Sequence, residues 1–248
     1  FVSFAIPLCV FYYPERCSMK KNASIAILIF FSILFVSCVE KEEHTDHNSS
    51  AVHTTDHHDK PLTADQALQE LKTGNQRFLN GKTIHSDFLK QVRATADNQH
   101  PHTVILSCLD SRVPPEIIFD QGIGKVFVSR IAGNVEDDNV LGSMEYAVGV
   151  KHTKLIVVLG HSGCGAVKGA IDNAELGNLT QLLEQIKPAI TADTSNTPSA
   201  DQTARKNVEL TIQDILKKSP VIASAVEKDS VKIIGGFYHL SDGKVEFF

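Results

Sequence analysis

Two short motifs, each directly after a run of apolar residues, constrain this chain more than any other feature of its sequence. The run Thr103–Ser107 is followed by CLDSR at 108–112, and the run Leu155–Leu159 is followed by GHSGCG at 160–165. Short apolar runs bounded by turn residues are typical of buried strands. Because ligands bind at the carboxyl ends of the strands in open parallel sheets, we expect the two motifs to lie side by side.

The order of predicted elements indicates the fold class. Apolar runs predict strands at Thr103–Ser107, Val126–Val128, Leu155–Leu159, Val231–Phe237 and Lys244–Phe248. Helical spacing of apolar residues predicts helices at Pro61–Lys82, His85–Asn98, Val140–Val150, Gly163–Ile171, Leu176–Ile190 and Ala204–Lys217, with a polar loop at Asp193–Asp201. The helix at Leu176–Ile190 should bend or end near Pro188. Such alternation is typical of an α/β domain with a mainly parallel β-sheet flanked by helices.

Cys108, His161 and Cys164 form a candidate zinc site at the carboxyl edge of this sheet. Two thiolates and an imidazole are typical zinc ligands, and three protein ligands leave a fourth position for water, as in catalytic sites. His161 and Cys164 are separated by two residues, while Cys108 follows a different strand. The pattern favours one catalytic Zn²⁺ per chain over a structural zinc with four protein ligands.

Asp110 and Arg112 lie close to the candidate ligand Cys108 in the sequence. A bidentate ion pair with Arg112 would hold the Asp110 carboxylate in one orientation. Held away from the metal, Asp110 can accept a hydrogen bond from the water that zinc activates, whereas a released Asp110 could bind the metal and close the site. The two thiolates neutralise the charge of the ion. We therefore expect a less acidic water, and better activity at alkaline pH, than with three histidine ligands.

Each of these residues has a simpler interpretation when it is taken alone. A single buried cysteine is usually a small apolar residue of the core, and an Asp-x-Arg pair is often only a local ion pair. A redox dithiol formed by Cys108 and Cys164 is a further alternative, but it gives no role to His161 or Asp110. Together, at the ends of two predicted strands, the residues favour zinc.

The first sixty residues have the composition of targeting and linking segments. Residues 1–18 precede a plausible start at Met19 and are interpreted as upstream translation rather than native protein. Residues 19–38 resemble a bacterial lipoprotein signal, with two lysines before an apolar stretch that ends at Cys38, the predicted lipidation site. Residues 39–60 are acidic and histidine-rich and predict a disordered tether, which leaves residues 61–248 for the zinc-dependent domain.

The signal segment and the charge of the chain limit its location and partners. A lipid on Cys38 predicts an exported protein, a periplasmic or outer-membrane lipoprotein of a Gram-negative bacterium that contacts the membrane through this anchor. A plain signal peptide or a signal anchor is the alternative. The net charge is -5 and no basic patch stands out, so we expect no nucleic-acid partner.

The two motifs resemble those of the β-class carbonic anhydrases. CLDSR at 108–112 is similar to the family's Cys-x-Asp-Ser-Arg motif, HSGCG at 161–165 is similar to its His-x-x-Cys-Gly motif, and the similarity covers about residues 61–248. The resemblance implies Zn²⁺ bound by Cys108, His161 and Cys164, with a gating pair formed by Asp110 and Arg112. It also implies reversible hydration of carbon dioxide to bicarbonate and a proton.

The resemblance further implies a substrate pocket formed by Gln99, Phe127, Ala132, Tyr146 and the backbone N–H of Gly165. Ala132 stands where plant-type members have valine, which predicts a slightly wider pocket. The chain has no Trp, the residue that members with a non-catalytic bicarbonate site use, and this favours the permanently open form. Members of the family form dimers with active sites at the subunit interface, often paired into tetramers. We therefore expect a homodimer or homotetramer, in which the helices before Gln99 resemble an exchanged arm.

Two rival functions share the same motifs. One is a carbon disulfide or carbonyl sulfide hydrolase on the same fold, which would differ in access to the pocket. The other is a non-catalytic zinc- or bicarbonate-binding lipoprotein in which Asp110 stays on the metal, although the presence of Arg112 argues against it.

Overall fold

Parallel pairing of apolar strands builds the sheet that positions the candidate site. A computed structural model describes residues 62–191 and 199–248. The sheet has the strand order β2-β1-β3-β4-β5. Its strands are β1 (Thr103–Ser107), β2 (Val126–Arg130), β3 (Leu155–His161), β4 (Lys232–Tyr238) and β5 (Val245–Phe247). β1 to β4 pair in parallel and β5 is antiparallel to β4, which confirms the predicted mainly parallel α/β fold.

Several sequence predictions lie outside the described residues. These are the upstream segment 1–18, the signal segment 19–38 with Cys38, the tether 39–60, and most of the loop Asp193–Asp201. They stay predictions.

The two central strands are buried on both faces. Every residue of β1 and of β3 is buried. Alternate side chains of β1 enter different cores, because Val104 packs in the cluster that contains Met144 whereas Ile105 packs in the cluster that contains Phe119. Such strands require helices on both faces of the sheet to keep them from water.

Helices supply this cover. They are α1 (Ala64–Leu79), α2 (Phe88–Ala94), α3 (Pro115–Ile118), α4 (Asp138–Gly149), α5 (Gly165–Ile171), α6 (Gly177–Glu184), α7 (Lys187–Thr191), α8 (Ala200–Lys218) and α9 (Pro220–Glu227), with a 3-10 helix at Ala132–Asn134. Within the two described ranges, no helix is both long enough and apolar enough to cross a membrane.

Two helix predictions need correction. The segment Leu176–Ile190, predicted as helical with a bend or an end near Pro188, forms two helices: the break comes earlier, after Glu184 at the end of α6, and Pro188 lies in the first turn of α7, where proline is tolerated. Helix α9 was not predicted, although its start signals are present. Ser219 caps its first turn and Pro220 occupies the first helical position.

Helix α1 packs on its own domain, with Ala67 and Leu71 in the cluster that contains Phe119. Thr63 and Gln66 form a capping box at its start. The buried Asn75 side chain donates to the carbonyl oxygens of Ile118 and Gly243, at 3.1 and 3.0 Å. These bonds join α1 to α3 and to the turn between β4 and β5.

Helix α2, in contrast, contributes no buried residue. Phe88, Leu89 and Val92 are 53%, 70% and 49% exposed. Contiguous exposed apolar side chains of this kind are typical of contact surfaces.

We expect the Asp120→Asn variant to have a free energy of unfolding about 2 kcal/mol lower than the wild type at pH 7. The buried Asp120 carboxylate accepts hydrogen bonds from the Arg77 guanidinium and from the amides of Ile84 and His85. Burial alone would raise its pKa, but these donors outweigh burial and hold the pKa below its usual value. A depressed pKa stabilises the fold above the unfolded-state value of about 3.9, and this contribution is lost as the pH falls through the folded-state value. Chemical denaturation at pH 7 and at successively lower pH measures both effects.

The control for this prediction is Asp65→Asn. Asp65 forms an exposed ion pair with Lys232, which we expect to contribute little to stability because water and salt screen it. Equal losses of stability in the two variants, or an Asp120→Asn effect that does not depend on pH, would contradict the assignment.

Candidate metal centre

Parallel pairing brings the three predicted ligands to one edge of the sheet. Ser107 at the end of β1 lies opposite Leu159 of β3, so Cys108 follows one strand close to the end of the other. His161 is the last residue of β3, and Cys164 precedes the first residue of α5. All three ligands are buried.

The spacing of the ligand atoms fits a zinc ion. The ligand atoms of Cys108, His161 and Cys164 lie within 4.8 Å of one another. The two sulfur atoms are 3.9 Å apart. Two sulfurs bound to one tetrahedral Zn²⁺, each at about 2.3 Å, would be about 3.8 Å apart, close to the observed distance.

The imidazole of His161 also has the orientation of a metal ligand. Its Nδ1 lies 2.9 Å from the carbonyl oxygen of Ser162, which can only accept, so Nδ1 carries the proton. In the neutral imidazole that a metal binds, Nε2 is the unprotonated acceptor, and here it is buried without a hydrogen-bond partner in the described part of the chain. A buried nitrogen without a partner is costly, and a metal ion held with the two sulfurs would satisfy it.

Zinc binds thiolates, and the surroundings favour a thiolate at Cys108. A hydrogen bond from the Cys164 thiol, assisted by the amides of Asp110 and Gly133, lowers the pKa of Cys108 well below that of an ordinary thiol. The same contact raises the pKa of Cys164. The two sulfurs therefore share one proton, which a metal ion bound to both of them would displace.

Arg112 holds the Asp110 carboxylate in a bidentate ion pair. Its Nε lies 2.9 Å from Oδ1, a terminal nitrogen lies 2.7 Å from Oδ2, and its backbone amide donates to Oδ1 at 3.0 Å. The guanidinium holds the pKa of Asp110 well below its usual range, so the carboxylate stays charged. Arg112, rather than the three candidate ligands, therefore orients Asp110. A carboxylate held away from the ligands in this way leaves the metal site open.

Known proteins share this fold and these motifs. The family model described as carbonic anhydrase matches residues 103–245. A carbonic anhydrase of Mycolicibacterium smegmatis is 40% identical over 187 residues, which cover 73% of this chain and 91% of the relative. The β-carbonic anhydrase CcaA superposes with a TM-score of 0.60 at 26% identity, over 73% of this chain and 87% of that structure. The chain belongs to the β-carbonic anhydrase family.

Further relatives agree with this assignment to the β-carbonic anhydrases. Carbonic anhydrase 2 of Mycobacterium tuberculosis is 40% identical over 185 residues, 72% of this chain and 89% of the relative. A tetrameric β-carbonic anhydrase of Sordaria macrospora has a TM-score of 0.57 at 28% identity, over 71% of this chain and 90% of that structure.

The pocket residues implied by the β-carbonic anhydrase resemblance fall into two groups. Ala132 and Gly165 lie at the ligand edge. Ala132 begins the 3-10 helix in which the Gly133 amide lies 3.3 Å from the Cys108 sulfur, and Gly165 begins α5 directly after Cys164.

Gln99, Phe127 and Tyr146 form the second group, and they do not meet the ligands of their own chain. Gln99 precedes the amino end of β1, whereas Cys108 follows its carboxyl end, and a strand of this length spans about 16 Å. The Phe127 and Tyr146 rings contact each other edge to face, with centroids 6.3 Å apart. They line a cavity of about 480 Å³ whose lining includes none of the three ligands.

Arg130 also supports the site, and no motif in the sequence predicted it. Its guanidinium donates to the carbonyl oxygens of Cys108 and Leu109, at 3.1 and 3.2 Å, and also to that of Asp110. Arg130 thereby supports the loop that carries one ligand and the carboxylate. The only signal in the sequence was a charged residue just beyond the predicted strand Val126–Val128.

Proposed function

We propose that this protein hydrates carbon dioxide reversibly to bicarbonate and a proton, with Zn²⁺ held by Cys108, His161 and Cys164. The observation that carries the proposal is the buried cluster of three ligand atoms, in which His161 Nε2 has no other partner among the described residues. When bound, zinc lowers the pKa of a coordinated water from 15.7 to about 7 and so supplies a nucleophile near neutral pH. The relatives named carbonic anhydrase, at 40% identity, support the same reaction.

Asp110 orients the attacking water in this proposal. The donors of Arg112 occupy three of the roughly four acceptor positions of the carboxylate, which leaves Oδ2 able to accept one more hydrogen bond. A hydrogen bond from the water to Oδ2 would turn its lone pair toward carbon dioxide, and such positioning lowers the barrier. We assign the Gly165 amide, in the first turn of α5, to the bicarbonate oxygen.

The Asp110–Arg112 pair favours turnover over a binding role. A zinc- or bicarbonate-binding protein without activity would require Asp110 on the metal, whereas here the carboxylate is held by Arg112. The relatives are named carbonic anhydrases, which favours carbon dioxide over carbon disulfide or carbonyl sulfide.

The first test is stopped-flow hydration of carbon dioxide by zinc-loaded protein across a range of pH. We expect a rate that rises smoothly toward alkaline pH, because two thiolates reduce the effective charge of the metal and leave its water less acidic. A rate that is absent until an abrupt alkaline onset would place Asp110 on the metal at lower pH. Zinc-loaded protein without activity at any pH would contradict the proposal.

A second copy of the chain completes the substrate pocket in this proposal. Gln99, Phe127 and Tyr146 lie away from the ligands of their own chain, and α2 exposes an apolar face suited to contact with another subunit. The tetrameric relative from Sordaria macrospora supports an oligomer. We therefore propose a homodimer or homotetramer with shared sites.

We expect two impaired variants to restore activity when they are mixed. Cys164→Ser removes a ligand from its own site, and Gln99→Ala removes a residue that the site of the partner needs. In a hybrid dimer, one of the two sites combines intact ligands with an intact Gln99. Random exchange in an equimolar mixture should therefore restore about a quarter of the wild-type activity, measured by stopped-flow hydration.

The control mixture is Cys164→Ser with Cys108→Ser. Both variants lack a ligand in their own site, so hybrid dimers contain no intact site and stay inactive. Recovery in this control, or no recovery in the first mixture, would argue against a shared site.

We also propose that the protein is exported and anchored by a lipid on Cys38, in the periplasm or at the outer membrane. The support is the basic, apolar and small-residue order of residues 19–38. Mass spectrometry of the native N-terminus should find a mature chain that starts at lipidated Cys38. An intact segment from Met19 to Ser37 would contradict the proposal.

A further inference from the structure

We propose that helix α8 holds the two ligand-bearing segments of the metal centre in place, with Asn207 and Asp201 as positioning residues. The inference rests on the proposed zinc site and assigns a role to two residues that supply none of its ligands. One contact reaches the Cys108 side of the site, and the other reaches the turn between His161 and Cys164.

Asn207 acts on the Cys108 side. Its side chain is 2% exposed, and its Nδ2 donates to the carbonyl oxygen of Gly133 at 2.7 Å. The amide of the same glycine donates to the Cys108 sulfur at 3.3 Å. Because one residue carries both groups, the bond from Asn207 restrains the backbone that presents the N–H···S hydrogen bond to the ligand.

Gly133 has little freedom to find this position by itself. Its φ is +71°, in the region that favours glycine, and a Cβ at this position would lie 2.5 Å from Ile186 Cδ1. The backbone at Gly133 therefore passes through a narrow gap, where the buried Asn207 side-chain amide is its hydrogen-bond partner.

Asp201 acts on the other side of the site. Its Oδ1 accepts a hydrogen bond from the Gly163 amide at 2.9 Å. Gly163 lies between His161 and Cys164 and has a φ of +63°. This bond stabilises the turn that presents the second and third ligands together.

The two contacts come from one rigid element. Asp201 and Asn207 are six positions apart in α8, which corresponds to about 9 Å along the helix axis. A single helix thereby links loops that come from different strands. Partners of this kind orient metal ligands, and their removal typically weakens metal binding by about 10- to 100-fold.

The test measures metal binding by the full chain rather than turnover. In Asn207→Leu, we expect the zinc dissociation constant, measured by competition with a chromophoric chelator, to rise by about 10- to 100-fold. The thiolate-to-metal charge-transfer band of the cobalt-substituted variant should also shift, since the hydrogen bond to the Cys108 sulfur changes. Asp201→Ala should weaken zinc binding by a smaller factor because its hydrogen bond is exposed. Asp201→Asn keeps an acceptor oxygen and should restore the affinity.

Thr203→Val is the matched control. Thr203 lies one turn before Asn207 on α8 and is fully buried, and its hydroxyl has no partner in the described ranges. This near-isosteric change disturbs the buried face of the helix without removing a hydrogen bond. Zinc affinity and the cobalt spectrum should stay at their wild-type values.

The outcomes separate this inference from the proposed function. Wild-type zinc affinity in folded Asn207→Leu or in Asp201→Ala would overturn the role of α8 while the zinc enzyme stands. A wild-type chain that binds no zinc would overturn the proposed function itself. If Asn207→Leu fails to fold, the zinc affinity of Asp201→Ala tests the inference instead. Asp201 is exposed, so its replacement leaves no unpaired group buried.

Discussion

The Cys164→Ser variant is expected to lose its zinc and at least about 10³-fold in kcat for carbon dioxide hydration. Cys164 is 1% exposed, and its sulfur lies 3.9 Å from that of Cys108. A serine hydroxyl stays protonated at neutral pH and is a poor zinc ligand. Metal activation contributes several kcal/mol, and each 1.36 kcal/mol is a factor of ten in rate, which gives the expected loss. Elemental analysis and stopped-flow hydration measure the two effects.

Cys38→Ser is the control for this variant, since it removes a thiol outside the proposed metal centre. We expect it to keep full zinc content and full activity while it loses the proposed lipid. Zinc retained in Cys164→Ser at wild-type affinity, or zinc lost in Cys38→Ser, would contradict the proposed ligand set.

The Arg112→Ala variant is expected to fold normally, bind zinc and lose about 10²-fold in kcat. The Arg112 side chain is 60% exposed, so its removal leaves the core intact. Without the bidentate bond, Asp110 is free to turn away from the water. Its pKa would rise toward the ordinary value of about 3.9, which still leaves it ionised above pH 6. The loss should therefore be constant across neutral and alkaline pH, and a stopped-flow pH profile tests this.

Two further variants sharpen this prediction. Arg112→Lys keeps the charge but loses the planar guanidinium that donates two parallel hydrogen bonds to Asp110, so it should recover only part of the rate. Lys206→Ala, which removes a cation from the exposed pair with Glu209, should be indistinguishable from wild type. Full recovery by Arg112→Lys would mean that charge rather than orientation matters at this position.

The strands that position the ligands were predictable because each contains a run of consecutive apolar residues. β1 and β3 are buried throughout, and the ligand-bearing motifs lie at their carboxyl ends, so the edge where Cys108 and His161 lie follows from parallel pairing alone. Strand ends differ from prediction by a few residues. For example, β3 continues through His161 because His161 pairs with Tyr238 of β4.

The rest of the site depends on contacts between residues far apart in the chain. Asn207 is a polar residue in a helix, and its partner Gly133 lies 74 positions away, so no local pattern marks the pair. Gln99 and Tyr146 carry no local signal of their own either. Their assignment came from the resemblance, and they lie away from the ligands of the same chain.

The 3.9 Å separation of the two sulfurs has a redox consequence if the proposed export takes the chain outside the reducing cytosol. An external oxidant that removes two electrons and two protons from Cys108 and Cys164 would join them as a disulfide and eliminate two ligands in one step. Bound zinc would engage both sulfurs and protect them from this reaction. For the exported chain, metal loading before oxidation would then yield enzyme, and the reverse order would yield protein that only a reductant can rescue.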